Sequence, residues 1–222
     1  MANSVERAID EVLIYQECGL KGVIVENYHG SKNDVENTLK ILSQMDINIE
    51  VGVNILPNEF KCSLELCRKY NGTFIQLDNV SGTYLTQRGG SKTLDVQSFF
   101  EERSKDSNIK VMGGVWPKYY QPIKESVLET DIEKALERAD YIVVTGTGTG
   151  VQTDIDKIKK FRELCIDHPL IIGSGLDVWN VKEQLQFADG GIVGSAFKPY
   201  KRTMEKVNKD LVSEFMEKVK EL

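Results

Sequence analysis

Ala188-Asp189-Gly190-Gly191-Ile192-Val193-Gly194-Ser195-Ala196-Phe197 is the stretch on which the fold turns. Gly191–Gly194 reads as a short apolar strand that ends in Gly194-Ser195 before the chain turns toward a terminal helix. Glycine lets backbone N–H groups come close to an anion, serine adds a hydroxyl, and a helix start adds a favourable dipole. One unit upstream, Gly173-Ser174-Gly175 closes the preceding apolar run in the same manner. Tight strand-to-helix turns use glycine for their own sake. Two glycine–serine ends on consecutive units, however, form a phosphate cradle.

Further out, apolar runs rich in valine and isoleucine recur at Gly22–Glu26, Glu50–Ile55, Thr73–Leu77, Ile109–Val115, Tyr141–Thr145 and Leu170–Gly173. Each is apolar on both faces, as a parallel strand covered inside and outside must be. Their starts lie 28, 23, 36, 32, 29 and 21 residues apart, counting Gly191 as the last, which is the span of one strand–helix unit repeated. Helical spacing fills the intervals. Val35-Leu39-Leu42 opens near Asn33 and Asp34 as caps, and Ile155-Ile158-Phe161-Leu164-Cys165 is entered through Thr153 and Asp154. Met204-Val207-Leu211-Phe215-Val219 reads as a final amphipathic helix.

Two architectures accommodate seven such units, a closed barrel and an open doubly wound sheet. The open sheet announces itself with a glycine-rich turn after its first strand. Here the glycine-rich ends fall in the last third, where barrels place a phosphate site in the loops after strands seven and eight. The expected fold is therefore α/β, a (β/α) TIM-barrel-like domain over residues 1–222 with seven predicted parallel strands. In that frame the first strand is lacking, because a helix, Val5-Ala8-Ile9-Val12-Leu13, precedes the first apolar run. Unpaired strand edges are normally covered, so self-association into a homo-oligomer through the gap is expected.

The composition limits the function. A formal net charge of −6 argues against a general nucleic-acid binder, which needs a basic face. Of the 222 residues, 41% are hydrophobic, enough for a sizeable core, yet no apolar run approaches the ~20 residues of a membrane span. The N-terminal MANSVERAIDEV is charged and helical rather than signal-like, so the chain reads as cytoplasmic. Cys18, Cys62, Cys67 and Cys165 form no CxxC pair and read as reduced, packed thiols.

Charged and amide residues gather just past the strand ends: Glu26-Asn27, Asn54 with Asn58-Glu59, and Asp78-Asn79. In a barrel these ends share one rim, so acids, amides and glycine-rich loops converge on one mouth. A carboxylate there could serve as a general base or bind magnesium. Lys118, in Trp116-Pro117-Lys118-Tyr119-Tyr120-Gln121-Pro122, is the one cation the sequence places near the rim, suited to a phosphate or an oxyanion. Thr145-Gly146-Thr147-Gly148-Thr149-Gly150 fails both the GxGxxG and the P-loop patterns and reads as a hydroxyl-bearing loop facing the ligand. His168 precedes Pro169 at a strand entrance on the opposite rim, whereas His29 is near enough to the mouth to reach it. No histidine pair has zinc-ligand spacing, and no metal ligand is assigned.

In this order and spacing the residues resemble the BtpA/SgcQ family. The matches are Gly22-Val23-Ile24-Val25-Glu26-Asn27, Gly52-Val53-Asn54-Ile55-Leu56 with Asn58, Phe74-Ile75 leading to Gly82, Lys118 with Pro122, and Ile142-Val143-Val144-Thr145-Gly146. They finish with Gly173-Ser174-Gly175, Asn180-Val181 and Asp189 to Ser195 with Phe197-Lys198. The resemblance implies a barrel of the phosphate-binding type, in a family with one branch linked to photosystem I biogenesis and another to a sugar-transport operon. Departures from the pattern are the absent opening strand resembling MIHLPxLPG, Gly114 where the family has Asp, Tyr119 where it has His, and Leu85-Thr86-Gln87-Arg88-Gly89 in place of a TDQG-like segment.

Two functions stand as expectations. One is an isomerase, lyase or hydrolase acting on a phosphosugar or nucleotide-like metabolite. Glu26, Asp78 and Lys118 would be its catalytic groups, and Asn27, Asn54, Asn79, Thr145, Gly146, Gly173, Ser174, Gly175, Gly194 and Ser195 would hold the ligand, with magnesium as the cofactor to test. The other is a binding or assembly factor that keeps the pocket and has lost the chemistry.

Overall fold

The β-branched runs and the amphipathic stretches between them fold into a curled parallel wall lined outside by helices. The computed structural model describes residues 4–85 and 90–222. In chain order the elements are α1 (Val5–Glu17), β1 (Gly22–Glu26), α2 (Lys32–Leu42), β2 (Glu50–Asn54), α3 (Phe60–Lys69), β3 (Phe74–Leu77), β4 (Thr83–Leu85) and β5 (Ser91–Thr93). Next come α4 (Val96–Arg103), β6 (Lys110–Gly114), β7 (Gln121–Pro122), α5 (Leu128–Leu136), β8 (Tyr141–Val144), α6 (Ile155–Cys165), β9 (Leu170–Ile172), α7 (Val181–Gln184), β10 (Gly190–Gly191) and α8 (Lys209–Lys220). The main sheet runs β1-β2-β3-β6-β8-β9-β10, all parallel and in sequence order. That is the seven-stranded, TIM-barrel-like α/β wall the spacing predicts.

Strand alternation sorts the side chains. Val23 and Val25 are buried, while Ile24 and Glu26, on the alternate face, are partly open to the interior cavity. Low in that interior the Phe74 ring lies across Gly52, where a Cβ would come within 2.1 Å of it. Ring and glycine are therefore complementary, and the ring fills space that a larger residue at 52 would need.

The two layers close differently. α1 packs against α2 on one side and α8 on the other, so helices continue past the point where the strands stop. Among the described residues no strand joins β10 to β1. Buried charges hold α1 at this seam. The Glu11 carboxylate takes Arg7 Nε at 2.9 Å and Lys198 Nζ at 3.4 Å, and Arg7 Nη1 donates to the Met204 carbonyl at 2.7 Å.

Several boundaries differ from the sequence reading. The last strand is Gly190–Gly191 rather than Gly191–Gly194, because after Ile192 N–H donates to the Ile172 carbonyl the chain leaves for a 3₁₀ turn, Ser195–Phe197. The cap of α2 is Ser31, not Asn33 or Asp34. Ser31 Oγ accepts from Asp34 N–H, and the Asp34 carboxylate accepts back from Ser31 N–H. α8 begins only after Asn208, whose side chain accepts from the N–H groups of Asp210 and Leu211, so Met204 and Val207 precede the helix. A second sheet, β5-β4-β7, is antiparallel and absent from the sequence reading, since strands of two or three residues carry no readable period. Thr86 to Gly89, in the segment compared with TDQG, lie outside the described residues.

Candidate active site at the C-terminal rim

A cavity of about 1140 Å³ runs the height of the interior, from the strand starts at Gly22 and Glu50, past α1 and α8, to the C-terminal ends of the strands. Eleven of the thirteen predicted site residues line it: Glu26, Asn27, Asn54, Asp78, Lys118, Thr145, Gly173, Ser174, Gly175, Gly194 and Ser195. Asn79 and Gly146 do not. Asn79 is fully buried, its N–H and C=O both tied to the Asn58 side chain. Gly146 donates its N–H to Ser174 Oγ at 2.8 Å and so shapes the loop beneath the rim. His29 is not among the lining residues either; its ring is 3.0 Å from Thr203 Oγ1. His168 sits at the opposite end, against the Ala139 carbonyl, as expected.

The β1–β3 arc carries the acids. Glu26 pairs in register with Asn54, whose Nδ2 donates to Gln76 Oε1 at 3.2 Å. Burial raises the Glu26 carboxyl above its ordinary range; Lys118 opposes the shift and Asp78 adds to it. Asp78 is likewise raised by burial, against the pull of the Tyr120 hydroxyl, which donates to Oδ2 at 3.1 Å, and of Lys92 and Lys118. A carboxyl held above its usual value keeps a larger protonated fraction toward neutral pH, the condition for a general acid.

The β8–β10 arc is built from backbone. Gly175 has φ +75°, and a Cβ there would lie 2.2 Å from the Val151 carbonyl oxygen, so the loop after β8 packs directly on this glycine. Ser174 Oγ is already engaged, accepting from Gly146 N–H and lying 3.5 Å from Thr153 Oγ1. Lys118 N–H donates to Thr145 Oγ1 at 2.8 Å, which ties the loop after β6 to β8. Above the mouth, Thr149 Oγ1 meets the hydroxyls of Tyr28 at 3.2 Å and Tyr119 at 3.0 Å, joining three loops in one arch.

The sequence reading missed several lining residues. Lys92 of β5 reaches the mouth, so Lys118 is not the only cation there. Lys92 Nζ donates to the Pro57 carbonyl and lies 5.7 Å from the Tyr120 ring centre, and burial lowers its pKa. Gln76 was findable, because with Phe74 and Asp78 it keeps to the inward alternation of β3. Gly114 is also a tight packing position. A Cβ there would lie 1.9 Å from the Asp78 carbonyl oxygen, so the backbone of Asp78 occupies that corner. Among the described residues no group of three or more His, Cys, Asp or Glu is placed to hold a metal ion.

Wall, helix layer and rim cavity together define a TIM-barrel-like α/β protein, and solved structures agree. N-(5'-phosphoribosyl)anthranilate isomerase from Pyrococcus furiosus superposes with a TM-score of 0.66 at 16% identity, covering 99% of this chain and 96% of that one. A KDPGal structure gives 0.67 at 12% identity, covering 100% and 92%. A phosphoribosyl anthranilate isomerase in complex with reduced 1-(o-carboxyphenylamino)-1-deoxyribulose 5-phosphate gives 0.61 at 15% identity, covering 100% and 97%. More specifically, the chain belongs to the BtpA family, whose model matches residues 1–221. It is 29% identical to an uncharacterized protein of Pyrococcus abyssi over 98% of this chain and 87% of that one. It is 26% identical both to the photosystem I biogenesis protein BtpA of Synechocystis (98% and 80% covered) and to the putative sgc region protein SgcQ of Escherichia coli (97% and 84%). No helix among the described residues is long and apolar enough to cross a membrane.

Proposed function

We propose that this protein binds a small phosphorylated metabolite, a phosphosugar or a nucleotide-like compound, at the C-terminal rim and acts on it as an isomerase, lyase or hydrolase. One observation carries the reading: two acids raised by burial, Glu26 and Asp78, share a single cavity with the glycine–serine ends Gly173-Ser174-Gly175 and Gly194-Ser195. The glycine–serine ends take the phosphate through backbone N–H groups and the Ser195 hydroxyl, while Glu26 and Asp78 move protons. Lys118, with Lys92 beside it, balances the charge that develops. Glu26 and Asp78 are also the carboxylates a magnesium ion would share with ligand oxygens. The phosphorylated ligand bound to a phosphoribosyl anthranilate isomerase of like fold supports the reading by analogy.

The open side between β1 and β10 favours a second reading, a binding or assembly factor that self-associates along the free edge of β1. Thermal unfolding against phosphosugars, nucleotides and inorganic phosphate, with and without magnesium, separates the two. A true ligand at ~100 times its Kd adds ~2.7 kcal/mol, or roughly 2–4 °C per kcal/mol at this size. A flat panel, together with light scattering that reports more than one copy, favours the second reading; a clean monomer at micromolar concentration counts against it.

A further inference from the structure

Asn54 ends β2 with its side chain on the inner wall, where it is 2% exposed and lines the cavity. Its Nδ2 is committed to Gln76 Oε1, which sets the direction the amide faces. Its Oδ1 has no hydrogen-bond partner. An acceptor buried without a donor costs about 1–3 kcal/mol. Asn54 lines the cavity, so a bound molecule that reaches this atom can supply the missing donor.

The neighbouring groups narrow what that donor is. Gln76 presents its oxygen to Asn54, and Asp78 takes its hydrogen from Tyr120, so neither donates to Asn54 Oδ1. On the other side is Glu26, Asn54's register partner on the adjacent strand, at a strand spacing of about 4.8 Å. One ligand atom seated between β1 and β2 therefore meets an amide acceptor and a carboxyl group together. A hydroxyl suits both, because it donates to Asn54 and accepts from Glu26 when that carboxyl is neutral.

We infer that Asn54 selects the carbon skeleton of the ligand by accepting a hydrogen bond from one of its hydroxyls, so that the rim takes a sugar or polyol phosphate in preference to a bare or apolar phosphate ester. The inference deepens the phosphate reading above and rests on it for the ligand's other end.

The test is calorimetric binding of ribose 5-phosphate, ethyl phosphate, inorganic phosphate and unphosphorylated ribitol to the wild type, Asn54→Leu and Asn54→Ala. Wild type is expected to prefer ribose 5-phosphate over ethyl phosphate by roughly tenfold, the worth of one well-made hydrogen bond to a buried group. Both variants should reduce that ratio to about twofold or less. Using two variants guards against one failing to fold, and because each removes the bond to Gln76 along with the unpaired oxygen, both are checked for a cooperative melt before titration. An unchanged ratio in the variants overturns the inference. So does a wild type that binds phosphate yet shows no preference. If no phosphate compound binds, the phosphate reading fails on its own, and ribitol decides on Asn54: binding by wild type that is lost in both variants supports the inference, and no binding by wild type overturns it.

Discussion

The two arcs of the rim are made from different materials. From β1 to β3 the site is written in side chains, Glu26, Asn54, Gln76 and Asp78, which the wall holds away from water. From β8 to β10 it is written in backbone, with Gly175 left-handed under the Val151 carbonyl and Ser174 spent on holding the neighbouring loop. Side chains can be exchanged at modest structural cost, and the acids are under strain where they are. A backbone surface exists only while the glycines do. The contrast predicts that mutations of the first arc change chemistry while sparing or raising stability, and that filling the packed glycine of the second arc, Gly175, costs stability.

Gly175→Ala tests this hardest. The positive φ and the 2.2 Å approach to Val151 leave no place for a methyl group, so a loss of roughly 3 kcal/mol or more is expected, with the melting midpoint down by about 6–12 °C. A variant as stable as wild type would break the comparison. Gly194→Asp should set a negative charge where the phosphate is proposed to sit and weaken phosphosugar affinity about 100-fold in calorimetry while the chain stays folded. Unchanged affinity would remove the phosphate from this arc.

Asp78→Asn should move stability the other way. Because burial raises the folded-state pKa above the unfolded value, the folded protein binds the extra proton, and stability is lost as pH rises through the raised value. The amide carries no such penalty and still accepts from Tyr120. The variant should therefore melt above wild type at neutral pH, with the gap closing as pH falls below the ordinary carboxylate range of about 4. Its turnover on whatever substrate the ligand panel reveals should fall. A midpoint difference that persists unchanged in acid would show that ionisation is not its source. The smallest effect is expected from Thr149→Val, which removes the hydroxyl bonds to Tyr28 and Tyr119 but keeps the Thr149 N–H bond to Tyr119, at under about 1 kcal/mol. Faster amide exchange confined to the loops after β1, β6 and β8 would report it.

The features legible in the sequence were those that obey a period or a turn rule. Val23 and Val25, or Ile142 and Val144, declare covered strands by their β-branched alternation, and the glycine–serine ends declare tight turns in the right third of the chain. The polar insert β4-β5-β7 has no such rhythm, so Lys92 was invisible as a rim residue until the fold brought it over Tyr120. Ser174 was legible as a hydroxyl at a strand end but not as one already occupied, because its partner Gly146 lies 28 residues away. Gly114 was legible as a departure from the family pattern but not as a packing position, where the backbone of Asp78 fills the space a side chain would take.

The seam at α1 also has a consequence in time. The Arg7 contact to Met204 and the Lys198 contact to Glu11 span 197 and 187 residues, and α8 closes the same face from the last stretch of the described chain. At roughly 5–20 residues per second, a growing chain carries α1 against α2 and β1 alone for about 10–40 s before Lys198, Met204 and α8 are made. On the ribosome, a helix made well before α8 is among the last to be fully enclosed.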